Sequence, residues 1–177
     1  MYYVIQVRTG KEEKMIEEIK NHLTSDIIDD IFTPFYTQRK HIKGEWIDFD
    51  KPAFPGYIFI ESDNIKEVFH QLYFVEGFTK LLGRECNSEN FLPLNEPETK
   101  MIEVLYGKDS GHKLGINEIK LEQGNKVKVL RGQIFGLEGL IKKVLLHKRQ
   151  VVITFPFGGK SIEAIVGIDI VDKIDWK

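Results

Sequence analysis

Residues 2–8, Tyr-Tyr-Val-Ile-Gln-Val-Arg, are rich in β-formers and predict a strand. Thr9 followed three positions later by Glu12 has the form of a capping box. Met15, Ile16, Ile19 and Leu23 then recur at helical spacing, with Glu12, Glu13, Lys14, Glu17, Glu18 and Lys20 off that stripe. An amphipathic helix of about four turns is expected, packed on a flat surface. Ile31-Phe32-Thr33 stops at Pro34, and Phe35–Ile42 reads as a further strand. Lys43-Gly44-Glu45 predicts a hairpin turn returning through Trp46-Ile47-Asp48-Phe49. After the rigid break Lys51-Pro52-Ala53-Phe54-Pro55-Gly56, Tyr57-Ile58-Phe59-Ile60 is a strand apolar on both faces. Asp63 or Asn64 caps a second helix carrying Ile65, Val68, Phe69 and Leu72 on one side. Residues 78–82 predict a short strand and residues 98–105 a third helix.

This order predicts an α+β sandwich over residues 1–105, with helices on an antiparallel-rich sheet. Residues 106–119 hold three glycines among few apolar positions and read as a linker. From Leu121 onward the pattern is β throughout: 126–130, 140–146, 150–155, 160–166 and 168–174, with turns at Gly132, Gly136, Gly139 and Gly158-Gly159. Five short strands over residues 120–177 predict a small closed barrel, because closure removes exposed edges.

Charge sharpens this division. The whole chain carries −2, but residues 1–119 sum to −7 and residues 120–177 to +5. Two modules with different partners are implied, the basic one being the nucleic-acid candidate. Cys86 is the only cysteine, which excludes an internal disulfide and any multi-cysteine zinc or iron–sulfur site. A reducing, cytoplasmic setting is expected. No signal peptide and no run of apolar residues long enough for a membrane span is read.

Catalytic patterns are missing from the sequence. His22, His41, His70, His112 and His147 have no paired ligand spacing, and no nucleophile elbow, Walker A or dinucleotide fingerprint occurs. No enzyme activity, cofactor or metal is expected. The basic residues do form a pattern. Lys142, Lys143, His147, Lys148 and Arg149 surround one hairpin, and Arg131 and Lys160 lie in loops. Lysine and arginine on loops of a rigid β scaffold suit phosphate contacts with RNA. Without evident solvent-facing aromatics, structured RNA such as a leader hairpin is favoured over single strand. A solvated, charge-rich hairpin tip fits the same residues.

Two segments are more specific. One is Phe54-Pro55-Gly56-Tyr57-Ile58-Phe59-Ile60 behind a β-strand and amphipathic helix. The other is Gly124-Asn125-Lys126-Val127-Lys128-Val129, then Gly132, Gly139-Leu140-Ile141, Val151-Val152-Ile153 and Phe157-Gly158. In this order they resemble the NusG family of transcription elongation factors across essentially the whole chain. The first half is similar to its N-terminal domain and the second to its KOW domain, an SH3-like β-barrel. The resemblance implies docking of residues 1–105 on the clamp helices of RNA polymerase through Phe54, Pro55, Tyr57 and Phe59. It implies a gate-loop contact near Val68, Phe69 and His70. From the residues alone, Tyr57 and Phe59 share one strand face and Ile58 and Ile60 the other, which fits a partner site or a strand buried on both sides.

Two departures bear on function. Where some relatives read non-template DNA with an Asn-Thr pair, this chain has Phe74-Val75. Where housekeeping members carry a second loop phenylalanine, Gln133-Ile134-Phe135-Gly136-Leu137-Glu138 has Leu137, which argues against coupling to Rho or a small-subunit ribosomal protein. The chain therefore resembles a specialised antiterminator of the LoaP type, expected as a monomer. The alternative is a ribosome-associated, KOW-containing RNA-binding protein.

Overall fold

The opening run of Tyr, Val and Ile forms β1 (Tyr2–Gln6), and the amphipathic stretch forms α1 (Glu12–His22). There follow β2 (Asp30–Phe32), β3 (Phe35–Ile42), β4 (Glu45–Pro52), β5 (Tyr57–Glu61), α2 (Ile65–Leu72), β6 (Lys80–Leu81) and α3 (Glu96–Tyr106). The remainder is β7 (Lys113–Leu114), β8 (Asn117–Glu122), β9 (Lys126–Arg131), β10 (Ile141–Leu145), β11 (Gln150–Phe157) and β12 (Lys160–Asp172). The computed structural model describes residues 1–24, 26–77, 80–82, 91–122, 126–157 and 159–172. Phe78, Thr79, Cys86, Gly124, Asn125, Gly158 and Ile174, which the sequence singled out, lie outside the described residues.

The chain divides into two compact units. The first comprises Met1–Pro34, Phe54–Ile102 and Pro156–Ile162. Its sheet has the order β2-β5-β1-β6. β5 is central and antiparallel to both neighbours, with Val4 opposite Phe59 and Phe32 opposite Phe59. Alternation sends Tyr3, Ile5, Ile58 and Ile60 to one face, where Met15 and Ile19 of α1 and Val68 and Leu72 of α2 cover them. α2 starts at Asn64, whose side chain accepts from the Glu67 amide. α3 has a reciprocal capping box: the Asn95 amide donates to Glu98 and the Glu98 amide to the Asn95 side chain, at 2.8 and 2.9 Å. The box expected at Thr9 does not form. Lys11 is the N-cap residue of α1, without a side-chain bond, and Glu12 is buried in another role.

The second unit comprises Phe35–Ala53, Glu103–Phe155 and Glu163 onward. β3 and β4 form a hairpin in register from Phe35 opposite Pro52 to Ile42 opposite Glu45. Its two-residue turn, Lys43-Gly44, has both φ angles positive, matching the twist of the strands. β7 pairs parallel with β3. The stretch 106–119 holds a 3₁₀ turn at Lys108–Ser110, β7 and the start of β8.

The closed barrel expected for the C-terminal region is not what forms. β8 to β12 make an open five-stranded sheet of order β10-β11-β12-β8-β9, and among the described residues no sheet closes into a barrel. Two features account for this. The amide of Val129 in the end strand β9 donates to the Glu138 carboxylate at 3.2 Å, from the 3₁₀ turn Glu138–Leu140. That bond occupies a donor that a closing strand would use. In addition, the segments expected as separate strands around Gly167 are one 13-residue strand, β12, whose C-terminal part pairs parallel with β8. Gly167 is no break. A Cβ there would lie 1.9 Å from the Thr37 carbonyl oxygen, so glycine lets β12 run tight against β3.

Asn117, fully buried, completes this unit's loops. Its side-chain amide donates to the Gly115 and Gly167 carbonyls, and its Oδ1 accepts from the Ile134 amide.

Candidate functional site

The Phe54–Tyr57 segment is a tight turn, closed by the Tyr57 amide donating to the Phe54 carbonyl at 3.1 Å. Pro55 presets the first central φ and Gly56 takes the positive one, φ +88, as a type II turn requires. Two hydrogen bonds and one steric limit fix its position. The Val7 amide donates to the Gly56 carbonyl at 2.8 Å. The Gly56 amide donates to Oε1 of the buried Glu12 at 2.6 Å. A Cβ on Gly56 would meet Thr9 Oγ1 at 3.0 Å. Glu12 is therefore an anchor of this turn, which the sequence disguised as a helix cap.

Burial sorts the four residues of this turn and strand. Pro55 is exposed and Tyr57 half-buried, whereas Phe54 and Phe59 are fully buried. Their face of β5 is closed by aromatic packing. Phe59 stacks on Phe32 at 5.8 Å and meets Phe54 at 5.3 Å, and Phe157 lies 5.7 Å from Phe54 and 5.6 Å from Phe59. Phe157 was not legible as a partner of these residues.

Val68 and Phe69 lie on the other side of β5, in or against the cluster around Ile58 and Ile60. Val68 is buried, Phe69 packs on Phe91 at 4.7 Å, and His70 is exposed. The structure thus separates the two expected polymerase contacts by the thickness of the sheet. Beyond α2, Phe74 is exposed and Val75 buried.

The basic residues are dispersed more than their sequence suggests. Lys160 belongs to the first unit, and Arg131, Lys142, Lys143, His147, Lys148 and Arg149 to the second. Lys142 is the extra residue of a bulge in β10, since Ile141 faces Ile153 and Lys143 already faces Val152. The bulge leaves both lysines exposed on successive positions. Lys142 pairs with Glu163 at 2.5 Å. Lys126, Lys128, Lys142, Lys143 and Glu138 line a cleft along the open side between β9 and β10. Arg131 is exposed at the end of β9.

His147 and Lys148 are exposed on the 3₁₀ turn Leu146–Lys148 between β10 and β11. Arg149 closes that turn in the left-handed region, φ +52. Its guanidinium pairs with Asp169 and lies over the Trp46 ring, 4.1 Å from the centroid. Asp169 also accepts from Arg39 at 3.4 Å, and Arg39 grips Asp48 through two bonds of 2.8 and 3.0 Å. This fork holds the Asp48 carboxyl below its usual range, and the hydrogen bond to Asp48 raises Arg39. Gln38 adds a bond from its side-chain amide to the Lys148 carbonyl at 3.1 Å. Two arginines and two aspartates thus tie the β3–β4 hairpin to the basic turn. Trp46 was not singled out from sequence. Its only local signal was its place opposite His41 in the hairpin, where the rings lie 4.8 Å apart.

Among the described residues no group of three or more His, Cys, Asp or Glu is placed to hold a metal ion. No helix among them is long and apolar enough to cross a membrane.

Comparison with known proteins follows the same lines. The family model described as "Transcription termination factor nusG" matches residues 1–103. The transcription termination/antitermination protein NusG of Borreliella burgdorferi is 22% identical over 181 residues, covering 98% of each chain. Its counterpart in Chlamydia trachomatis is 26% identical over 165 residues, covering 90% of this chain and 87% of the relative. In solved structures, a study titled "Domain interaction in Thermotoga maritima NusG" matches with a TM-score of 0.56 at 18% identity. It covers 94% of this chain and 92% of that one, a likeness of fold. With the family model matched over more than half of the chain, this chain belongs to the NusG family, a family of non-catalytic transcription factors.

Proposed function

We propose that this protein is an antitermination factor that rides on RNA polymerase and contacts the nascent RNA. Residues 1–105 carry the polymerase contacts and residues 120–177 the RNA contacts. The observation that carries this reading is the Phe54–Tyr57 turn. A buried carboxylate, a neighbouring strand and a left-handed glycine hold four residues in one conformation, with Pro55 outward and Tyr57 half-exposed. Such pre-organisation suits a protein contact, because little ordering remains to be done on binding.

Pro55 and Tyr57 make the first contact with the clamp helices. Phe54 and Phe59 join it only when Phe157 leaves them. Exposed His70, with Phe69 beside it, supplies the gate-loop contact from the other side of the sheet. His147 and Lys148, with Lys142 and Lys143 along β10, supply phosphate contacts to a structured RNA leader. Arg131, exposed at the end of β9, extends the positive field of this unit. The chain's own departures support a specialised, LoaP-type role: Leu137 in the loop before Gly139, and Phe74-Val75 after α2.

The test is a reconstituted transcription assay with polymerase, an intrinsic terminator and the leader of the protein's own operon. Addition of the protein raises read-through on that leader and not on an unrelated one. Equal termination with and without protein on every leader rejects the reading.

A further inference from the structure

We infer that Trp46 is a stacking platform for an unpaired RNA base, built by the β3–β4 hairpin and the Leu146–Arg149 turn together. This deepens the reading that the basic turn meets RNA, and rests on it.

Trp46 is 52% exposed although its ring is held from two sides. His41 flanks it across the ladder, and the Arg149 guanidinium lies over the ring at 4.1 Å. An exposed tryptophan on a free hairpin samples several rotamers. Here the ring is fixed, so a base stacking on it has less ordering to overcome.

Arg149 is itself fixed. Asp169 binds it, and the same carboxylate takes Arg39, which grips Asp48. With two carboxylates balancing two guanidiniums, Arg149 serves as a positioning residue for the indole. In this reading it is set apart from Lys142, Lys143, His147 and Lys148, with which the sequence grouped it as a phosphate contact. The free charge comes from its neighbour Lys148. Lys148 and His147 are exposed on the same turn and make no ion pair among the described residues.

An indole in water beside uncommitted positive charge is the combination that holds a base and its phosphate. A paired base keeps its faces inside a helix, so the platform selects an unpaired one, such as a loop nucleotide of a hairpin. The sequence had favoured structured RNA because no solvent-facing aromatic was evident near the basic turn. The fold supplies one from the opposite half of the chain.

The test uses the full chain with Trp176→Phe, which leaves Trp46 as the remaining tryptophan of two. A ten-nucleotide oligouridylate should quench and shift its emission, while a blunt RNA duplex of equal length should not. Trp46→Leu should weaken oligouridylate binding by about tenfold or more and leave duplex binding unchanged, and Trp46→Phe should restore most of the loss. Far-ultraviolet circular dichroism of each variant checks the fold. If His147→Glu with Lys148→Glu abolishes binding while Trp46→Leu does not, the platform is wrong and the basic turn stands. If neither RNA binds the wild type, both fall. Tighter binding of the matching deoxyoligonucleotide overturns the assignment to RNA.

Discussion

The Glu12 carboxylate accepts a hydrogen bond from the Gly56 amide at 2.6 Å, inside the first compact unit. The bond joins the first turn of α1 to the turn that precedes β5. Both partners are buried, so water cannot replace either one.

Glu12→Ala leaves that amide without an acceptor and should cost about 1–3 kcal/mol. Glu12→Gln keeps an acceptor and should cost less than Glu12→Ala. Urea midpoints of the three proteins at constant slope decide. Equal stability of the alanine variant would show that the carboxylate does not hold the turn.

Gly167 is a packing requirement. Gly167→Ala puts a Cβ 1.9 Å from the Thr37 oxygen and should cost at least about 3 kcal/mol, because backbone must shift. Gly139→Ala, with nothing within 4 Å of the added carbon, should stay within about 0.5 kcal/mol of wild type. Thermal unfolding of the two variants separates them. Similar melting temperatures would contradict the close approach of β12 to β3.

These two contacts also mark where the sequence stopped being legible. Local chemistry was readable. Lys43-Gly44 gave the hairpin turn, Phe35–Ile42 matched β3 residue for residue, and Asn64, one of the two residues read as caps, caps α2. Met15, Ile19 and Leu23 marked the buried face of α1. What failed depended on distant partners. Thr9 and Glu12 had capping-box spacing, but Gly56 claims the carboxylate. Glycine in a strand reads as an interruption, yet Gly167 is there for Thr37. Barrel closure was inferred from strand count, and strand count says nothing of Glu138 taking the Val129 amide. At the site, the aromatic motif at Phe54 and Phe59 stood out, while Phe157 over it and Arg149 over Trp46 are juxtapositions only the fold creates.

Arg39 holds Asp48 below its ordinary 3.8, so the unfolded chain takes up that proton at a higher pH than the folded one. The pair's stabilisation is complete above the unfolded value and is lost as pH falls through the depressed folded value. Both side chains are more than a third exposed or close to it, so the effect is small, ~0.5 kcal/mol or less. Stability of Asp48→Asn should fall less steeply than wild type as pH drops below ~4. Parallel acid-unfolding curves would remove the pair from the account.

Phe157 closes the aromatic face of β5 against Phe54 and Phe59. Phe157→Leu loses two ring contacts and should destabilise the fold by about 1–3 kcal/mol. The same change loosens the cover on two residues proposed to join the polymerase contact, so polymerase affinity should rise. Lower stability with unchanged or weaker polymerase binding would show that Phe54 and Phe59 act only in the core.

The central claim is that the Phe54–Tyr57 turn meets RNA polymerase. It is tested most directly by the affinity of purified polymerase for fluorescently labelled protein, wild type against Tyr57→Ala. Val104→Ser, at a position 65% exposed on α3, serves as the surface control. The account predicts a loss of tenfold or more for Tyr57→Ala, as expected of an aromatic anchor, and none for Val104→Ser. A folded Tyr57→Ala protein that binds polymerase as tightly as wild type would contradict it.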